Sequence, residues 1–179
     1  RVGTVGGMIA SGLSGPGRFF YGGCRESVLG LTILDGTGKL LRFGGSVIKN
    51  VAGYDVSRLN VGAFGCLGLI TEAFLRTYPM PVSETTVELG VSRKELAEIV
   101  KFCYTEQLPI SGSFWTNVEK QGLSKKERLY VRLSGKEARV SNALKKVSEK
   151  FKNHSVMDNC ATSFWNSVRD QNLKFFTDE

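Results

Sequence analysis

An α+β fold in two consecutive parts is predicted by three observations. Eighteen of the 21 glycines fall in residues 1–90, whereas eleven of the thirteen lysines fall in residues 91–179. The step between the two compositions lies at Pro79-Met80-Pro81, where two prolines flanking one residue favour extended backbone. The first part alternates glycine turns with short apolar runs, and the second has clean strand and helix periodicities.

In the first part, Val2 to Gly17 reads VGTVGGMIASGLSGPG, and its small-residue middle, Met8 to Leu13, suits one or two helical turns. Residues 25–29 suit a short helix. Leu31 to Leu34 and Leu40 to Phe43 flank Asp35-Gly36-Thr37-Gly38, a hairpin signature. Residues 46–53 read as a connector. Tyr54 to Asn60 suits a short helix with Val56 and Leu59 on one face, capped by Asn50 or Asp55. Gly62 to Gly68 is a further glycine turn, and Ile70, Ala73 and Leu75 mark a long strand after it.

In the second part, Thr85 to Val91 alternates as a strand. Ser92 and Glu95 have capping-box spacing, with Leu96, Ile99, Val100 and Cys103 as one helical face. Ser111 to Asn117 and Arg128 to Leu133 are the next strands. A helix beginning at Ser134 or Gly135 runs through Phe151, with Ala138, Ala143, Leu144 and Val147 inward. Ser155 to Met157 is a short fourth strand, and Phe164, Trp165 and Val168 mark a last helix. The order β-α-β-β-α-β is the split βαβ, or ferredoxin-like, arrangement of an α/β sandwich.

Composition excludes several function classes. With 41% hydrophobic and 23% charged residues the chain is not disordered, and no apolar run approaches the ~18 residues of a transmembrane helix. The net charge of +7 divides as +2 over residues 1–90 and +5 over residues 91–179, spread over helix-like segments rather than gathered in a block. That pattern, without zinc-finger spacing or an aromatic RNA-binding signature, argues against nucleic acid as partner. The four cysteines, Cys24, Cys66, Cys103 and Cys160, form no CxxC, and His154 is the only histidine. Neither a zinc site nor a resident iron–sulfur centre is expected, and free thiols in a reducing compartment are. His154 is read as an ordinary, partly exposed residue.

Three glycine-rich segments carry candidate chemistry. Thr4-Val5-Gly6-Gly7-Met8-Ile9-Ala10-Ser11-Gly12 leaves backbone N–H groups available to phosphate oxygens, yet it is neither GxxxxGK[ST] nor GxGxxG. A P-loop hydrolase and a Rossmann domain are therefore disfavoured, and the pattern alone leaves ligand binding and tight packing both open. Gly15 to Glu26 mixes glycines, Arg18 and Arg25, and three aromatics, as suits an anionic planar ligand or a loop whose aromatics fill the core. The third segment joins Lys49 to Asp55 with Gly62 to Glu72. Lys49 could neutralise a negative group, and Asn50 and Asp55 have a structural reading as caps.

The combination RFGG…KNVAGYD…L…G…G.LG.ITE, with VGGMIASGLSGPGRFFYGGCRESVLG before it, resembles the vanillyl-alcohol oxidase and p-cresol methylhydroxylase (PCMH) type FAD-binding family, in its glycolate oxidase group. The resemblance is strong over residues 3–81 and continues loosely to Phe164–Asp170. It implies that residues 1–80 are the second half of a PCMH-type FAD-binding domain and residues 82–179 part of a cap domain. The first FAD subdomain is expected to precede Arg1, so the isolated chain is expected to retain FAD weakly.

By the same resemblance the cofactor-binding residues are Gly6 and Gly7 beside the cofactor, and Ser11, Gly12 and Gly15 toward the flavin. Gly22, Arg25 and Glu26 would lie near the pyrophosphate and ribityl chain, and Ile70 would contact the cofactor through its backbone. Three positions depart from the family. Glu26 stands where Asp is usual, Gly17 stands where Arg is frequent, and Phe64 and Cys66 replace a Ser and a Thr. Some relatives attach FAD covalently, which draws notice to Cys24 and Cys66, but a non-covalent flavin is expected.

The implied function is two-electron oxidation of a 2-hydroxy acid such as glycolate, with electrons passed to an iron–sulfur partner or a quinone pool. The implied partners are a sister FAD-containing subunit and an iron–sulfur subunit, in a complex that is cytoplasmic or peripheral at the inner membrane. No substrate base is visible. Two rivals stay open: another flavin oxidoreductase of the same fold, acting on lactate, a sugar lactone or an amine, and a non-catalytic assembly subunit.

Overall fold

A computed structural model describes residues 3–45, 54–117, 127–157, 161–173 and 176. The elements run α1 (Val5–Ser11), α2 (Arg18–Tyr21), α3 (Cys24–Ser27), β1 (Val28–Leu34), β2 (Leu40–Gly44), α4 (Val56–Leu59) and β3 (Leu69–Leu75). They continue with β4 (Ser83–Gly90), α5 (Leu96–Thr105), β5 (Ile110–Thr116), β6 (Arg128–Gly135), α6 (Glu137–Lys150), β7 (His154–Met157) and α7 (Ala161–Arg169). The chain forms two compact units. One comprises Arg1–Ser14 with Gly22–Pro79, and the other Gly15–Tyr21 with Met80–Glu179.

The first unit is built on an antiparallel sheet of order β2-β1-β3. The β1–β2 hairpin closes where the sequence predicts. One Asp35 carboxylate oxygen accepts hydrogen bonds from the Thr37 N–H, the Thr37 hydroxyl and the Lys39 N–H, at 2.8, 2.8 and 2.9 Å. These bonds hold the Asp35 carboxyl below the usual carboxylate range, the Lys39 N–H contributing most. Leu31 and Ile33 point from β1 into a core shared with Ile9, Cys24 and Val28, and Ile70, Ala73 and Leu75 of β3 pack against it. Ile9, fully buried, anchors α1 to this sheet, a burial that stabilises by about 2–3 kcal/mol.

Gly30 and Gly44 lie opposite each other in the β1–β2 register. A Cβ at Gly30 would stand 2.6 Å from the Gly45 nitrogen, and one at Gly44 2.4 Å from the Leu29 oxygen; Gly44 also has φ +67°. Only glycine satisfies both demands. α4 is the short helix expected after residue 54, and Asp55 caps it, accepting from the Arg58 N–H at 3.1 Å. Its buried face differs from the expected one. Leu59 is 60% exposed, while Ser57 and Asn60 are buried. Ser57 turns inward because its hydroxyl donates to the Phe43 carbonyl at 2.9 Å, and the Asn60 amide donates to the Val56 carbonyl at 2.8 Å. The other candidate cap, Asn50, and Lys49 lie outside the described residues.

The second unit carries an antiparallel sheet of order β5-β6-β4-β7. α5 and α6 cover one face, where Val87, Leu89, Leu129, Val131 and Leu133 meet Ile99, Val140, Ala143 and Val147. Val100, expected inward, is 63% exposed, and Phe102 packs against the core instead. Ala138 is likewise exposed and Val140 takes the inward place. Val100 sits at the margin of its stripe, where 3.6-residue periodicity alone does not decide the side, whereas Ala138, two residues before Val140 and five before Ala143, falls on the opposite side of α6.

α5 begins at Leu96, after a turn. The Ser92 N–H and hydroxyl both donate to the Glu95 carboxylate, at 2.7 and 2.6 Å, so only the reciprocal half of the expected capping box forms. The opposite face of the sheet packs Tyr130 against Trp165 and Val168 of α7. α2 lies on β5, where a Cβ at Gly17 would stand 3.3 Å from the Ser111 oxygen.

Candidate cofactor site

α1 starts three residues earlier than the small-residue run suggests, because Thr4 supplies an N-cap: its hydroxyl oxygen accepts from the Gly7 N–H at 3.0 Å. Gly12 ends the helix in the left-handed region, φ +65°, and its N–H donates to the Met8 and Ile9 carbonyls. With Ile9 turned into the core, α1 presents Val5, Gly7 and Met8 outward, and Gly6 is half-buried. Among the described residues, a Cβ added at Gly6 would meet only the Ile70 carbonyl oxygen, at 3.8 Å. Two of the expected site residues, Gly6 and Ile70, therefore face each other across α1 and β3.

The far end of α1 is stitched to the Gly62–Gly68 turn. The Gly62 N–H donates to the Ile9 carbonyl at 3.0 Å and the Phe64 N–H to the Ala10 carbonyl at 2.9 Å. Phe64 holds φ +51° and is 76% exposed, an uncommon backbone state for a bulky residue. A Cβ at Gly12 would lie 3.0 Å from the Gly62 Cα, so Gly12 is required by this contact and by its own φ. Ser11 donates to the Met8 carbonyl at 3.2 Å.

Gly22, Arg25 and Glu26 form the second cluster, in the turn before β1. Gly22 has φ +83°. The Glu26 carboxylate accepts from the Gly23 N–H at 2.7 Å, and the Ser14 hydroxyl oxygen accepts from the Cys24 N–H at 3.2 Å. Glu26 thus shapes the turn. The Arg25 side chain is exposed. Its carbonyl accepts from Arg58 Nε at 3.2 Å, a bond linking residues 33 apart that the sequence reading missed. Gly15 falls in the other unit, where a Cβ would stand 3.5 Å from Arg169 Cγ.

The thiols are distinct. Cys24 is buried and Cys66 exposed. Burial first, and the Glu26 charge second, push the Cys24 thiol up, which disfavours the thiolate a covalent attachment would need.

The donor set of the first unit fits an extended, partly anionic cofactor. Gly6 and Gly7 leave backbone bare, Val5, Met8 and Phe64 supply exposed apolar surface, and Arg25 supplies positive charge.

Residues 1–44 match the family model described as "FAD binding domain". The chain is 38% identical over 174 residues to a protein of Escherichia coli (strain K12) named glycolate oxidase subunit GlcE, covering 97% of this chain and 45% of that protein. It is 39% identical over 87 residues to glycolate oxidase subunit GlcD of Bacillus subtilis (strain 168), covering 49% of this chain and 18% of that protein. A solved alkyldihydroxyacetonephosphate synthase structure superposes with a TM-score of 0.67 at 15% identity, covering 94% of this chain and 36% of that one, a likeness of fold. The chain spans less than half the length of each of these proteins. The cofactor of the matched family is FAD, as the resemblance led one to expect.

Proposed function

We propose that this chain, a PCMH-type FAD-binding protein closely related to bacterial glycolate oxidase subunit GlcE, acts as the FAD-binding subunit of a glycolate oxidase (glycolate dehydrogenase) complex. The observation that carries the reading is one coincidence. The segment matched to the FAD-binding family, residues 1–44, contains the bare glycine face of α1 and the Gly22–Glu26 turn.

When bound, FAD supplies the two-electron chemistry by which a 2-hydroxy acid is oxidised. In this reading Gly6 and Gly7 let the backbone run against the cofactor, and Ile70 offers its carbonyl on the other side. Ser11 and Gly12 extend that edge. Gly22 and Glu26 set the turn from which Arg25 offers charge to a phosphate. Gly15 enters on the resemblance alone. Residues 1–80 are read as the second half of the FAD-binding domain, and residues 82–179 as part of a cap. The order β4-α5-β5-β6-α6-β7 with sheet order β5-β6-β4-β7 supports a ferredoxin-like cap.

The partners of this reading are a sister FAD-containing subunit and an iron–sulfur subunit, which takes up the electrons. A cytoplasmic complex, peripheral at the inner membrane, fits a chain in whose described residues no helix is long and apolar enough to cross a membrane.

The test is an absorbance spectrum of the complete natural polypeptide purified with its partners, before and after acid release of flavin, followed by a glycolate assay. Bands near about 370 and 450 nm with releasable FAD are expected, as is glycolate-dependent reduction of an acceptor dye. A colourless protein that takes up no added FAD overturns the flavoprotein reading. A yellow protein reduced by another substrate and not by glycolate moves it to another oxidoreductase of the same fold.

A further inference from the structure

We propose that Arg58, a residue outside the expected cofactor set, is the positioning residue that aims Arg25 at the cofactor; the proposal rests on the FAD-binding reading above. The turn preceding β1 is tied down group by group. The Gly23 N–H is spent on the Glu26 carboxylate, the Cys24 N–H on the Ser14 hydroxyl oxygen, and the Gly23 carbonyl on the Ser27 hydroxyl. The Ser27 carbonyl accepts from the Arg76 N–H at 2.8 Å. The Arg25 carbonyl is held by Arg58 Nε, which reaches it from α4. What this scaffold leaves projecting is the Arg25 side chain.

Arg58 is itself fixed. Its Nη1 donates to the Asp55 carboxylate at 3.0 Å, and its backbone N–H to the other oxygen of the same group at 3.1 Å. The Asp55–Arg58 pair is about half exposed, and an exposed pair of this kind adds little to stability. Its consequence is geometric. The planar guanidinium donates through Nη1 to Asp55 and through Nε to the Arg25 carbonyl, a two-direction fork that a lysine ammonium cannot reproduce. Arg58 therefore acts through Arg25, whose own charge meets no acceptor among the described residues.

The experiment is an FAD titration by flavin fluorescence on the complete natural polypeptide, comparing wild type, Arg58→Lys, Arg25→Gln and the double variant, with thermal midpoints recorded for each. Arg58→Lys keeps the charge and loses the fork. It is expected to weaken FAD binding about tenfold with an unchanged midpoint. Arg25→Gln is expected to weaken it at least as much, and the double variant no more than Arg25→Gln alone, because one residue works through the other. Asp55→Asn, which loosens the other end of the fork, is the second variant and is expected to reproduce part of the loss. Unchanged FAD affinity in Arg58→Lys, or losses that simply add in the double variant, overturns the positioning role alone. Wild type that binds no FAD overturns the flavoprotein reading, and the positioning role with it.

Discussion

Trp165 donates its indole N–H to the Thr86 hydroxyl oxygen at 2.8 Å, tying α7 to the central strand β4 across 79 residues of sequence, with both side chains buried. The same indole ring lies 5.1 Å from the Arg132 guanidinium carbon. This bond orients α7 on the second face of the four-stranded sheet, where Tyr130, Trp165 and Val168 form an apolar and aromatic cluster.

Trp165→Phe keeps most of the ring and strands the Thr86 hydroxyl. It is expected to destabilise by about 1–2 kcal/mol, the cost of leaving a buried polar group unpaired. Thr86→Val strands the indole N–H instead and should cost a similar amount. The double variant should cost less than the sum, because the second substitution removes a group already left without its partner. Urea midpoints of the two single variants and the double variant check this. Additive losses would mean that the bond contributes nothing beyond packing.

Gly44→Ala tests the close approach of β1 and β2. The added methyl would stand 2.4 Å from a backbone oxygen, at a φ of +67° that alanine resists. A clash with backbone cannot be relieved by moving a flexible side chain, so a loss of about 3 kcal/mol or more is expected. Gly36→Ala is the control, since nothing among the described residues lies within 4 Å of its would-be Cβ and its φ is not in the strained range. A thermal midpoint that falls for Gly44→Ala and holds for Gly36→Ala meets the expectation; equal midpoints refute it.

The contrast between those two glycines also shows what was legible in the sequence. The hairpin itself was, because Asp35, Thr37 and Gly38 carry the turn chemistry within five residues. The second unit was legible through periodicity, which placed Leu96, Ile99, Cys103, Ala143 and Val147 on the right helical faces. Val100 was misplaced because it sits beside its stripe; Ala138, two residues before Val140, lies on the opposite side of α6, where the period itself points it outward. The demand for glycine at Gly30 and Gly44 was not legible, since it arises from the register of two strands. Ser57 was not either, because its burial depends on one carbonyl of β2. In the candidate site the glycines stood out by type alone. Arg58 did not, because its partner is a backbone carbonyl, which no residue identity announces. The Asp55-to-Arg58 spacing was the only available hint.

The thiols provide a test of burial. Cys66 is exposed, Cys24 is buried with its thiol pushed up, and burial raises Cys103 to about 11. Only the thiolate reacts appreciably with iodoacetamide. At pH 8 the native protein should be alkylated at Cys66 within minutes, with Cys24 and Cys103 protected until denaturant is added. The sign for Cys103 is fixed by its direction. Raising the pH from 8 toward 11 should increase its labelling steadily, without a plateau in between. Peptide mapping after timed quenching checks both statements, and early labelling of Cys103 at pH 8 would contradict its burial.

Gly6→Ala separates a glycine kept for a ligand from one kept for packing. Gly6 lies inside α1 in space that a methyl group fills without strain, its nearest neighbour being the Ile70 carbonyl oxygen at 3.8 Å. Helix propensity alone then predicts that alanine stabilises the fold by up to about 1 kcal/mol. If the bare backbone is where FAD lies, the same methyl intrudes on the cofactor, and affinity should fall about tenfold or more while the thermal midpoint of the flavin-free protein rises. These opposite signs are the discriminating feature. If no cofactor rests on α1, the substitution would raise the midpoint or leave it unchanged with no loss of FAD affinity. Neither outcome is compatible with a cofactor resting on α1. The measurement is a calorimetric midpoint of the flavin-free form beside an FAD titration of the complete natural polypeptide, wild type against Gly6→Ala.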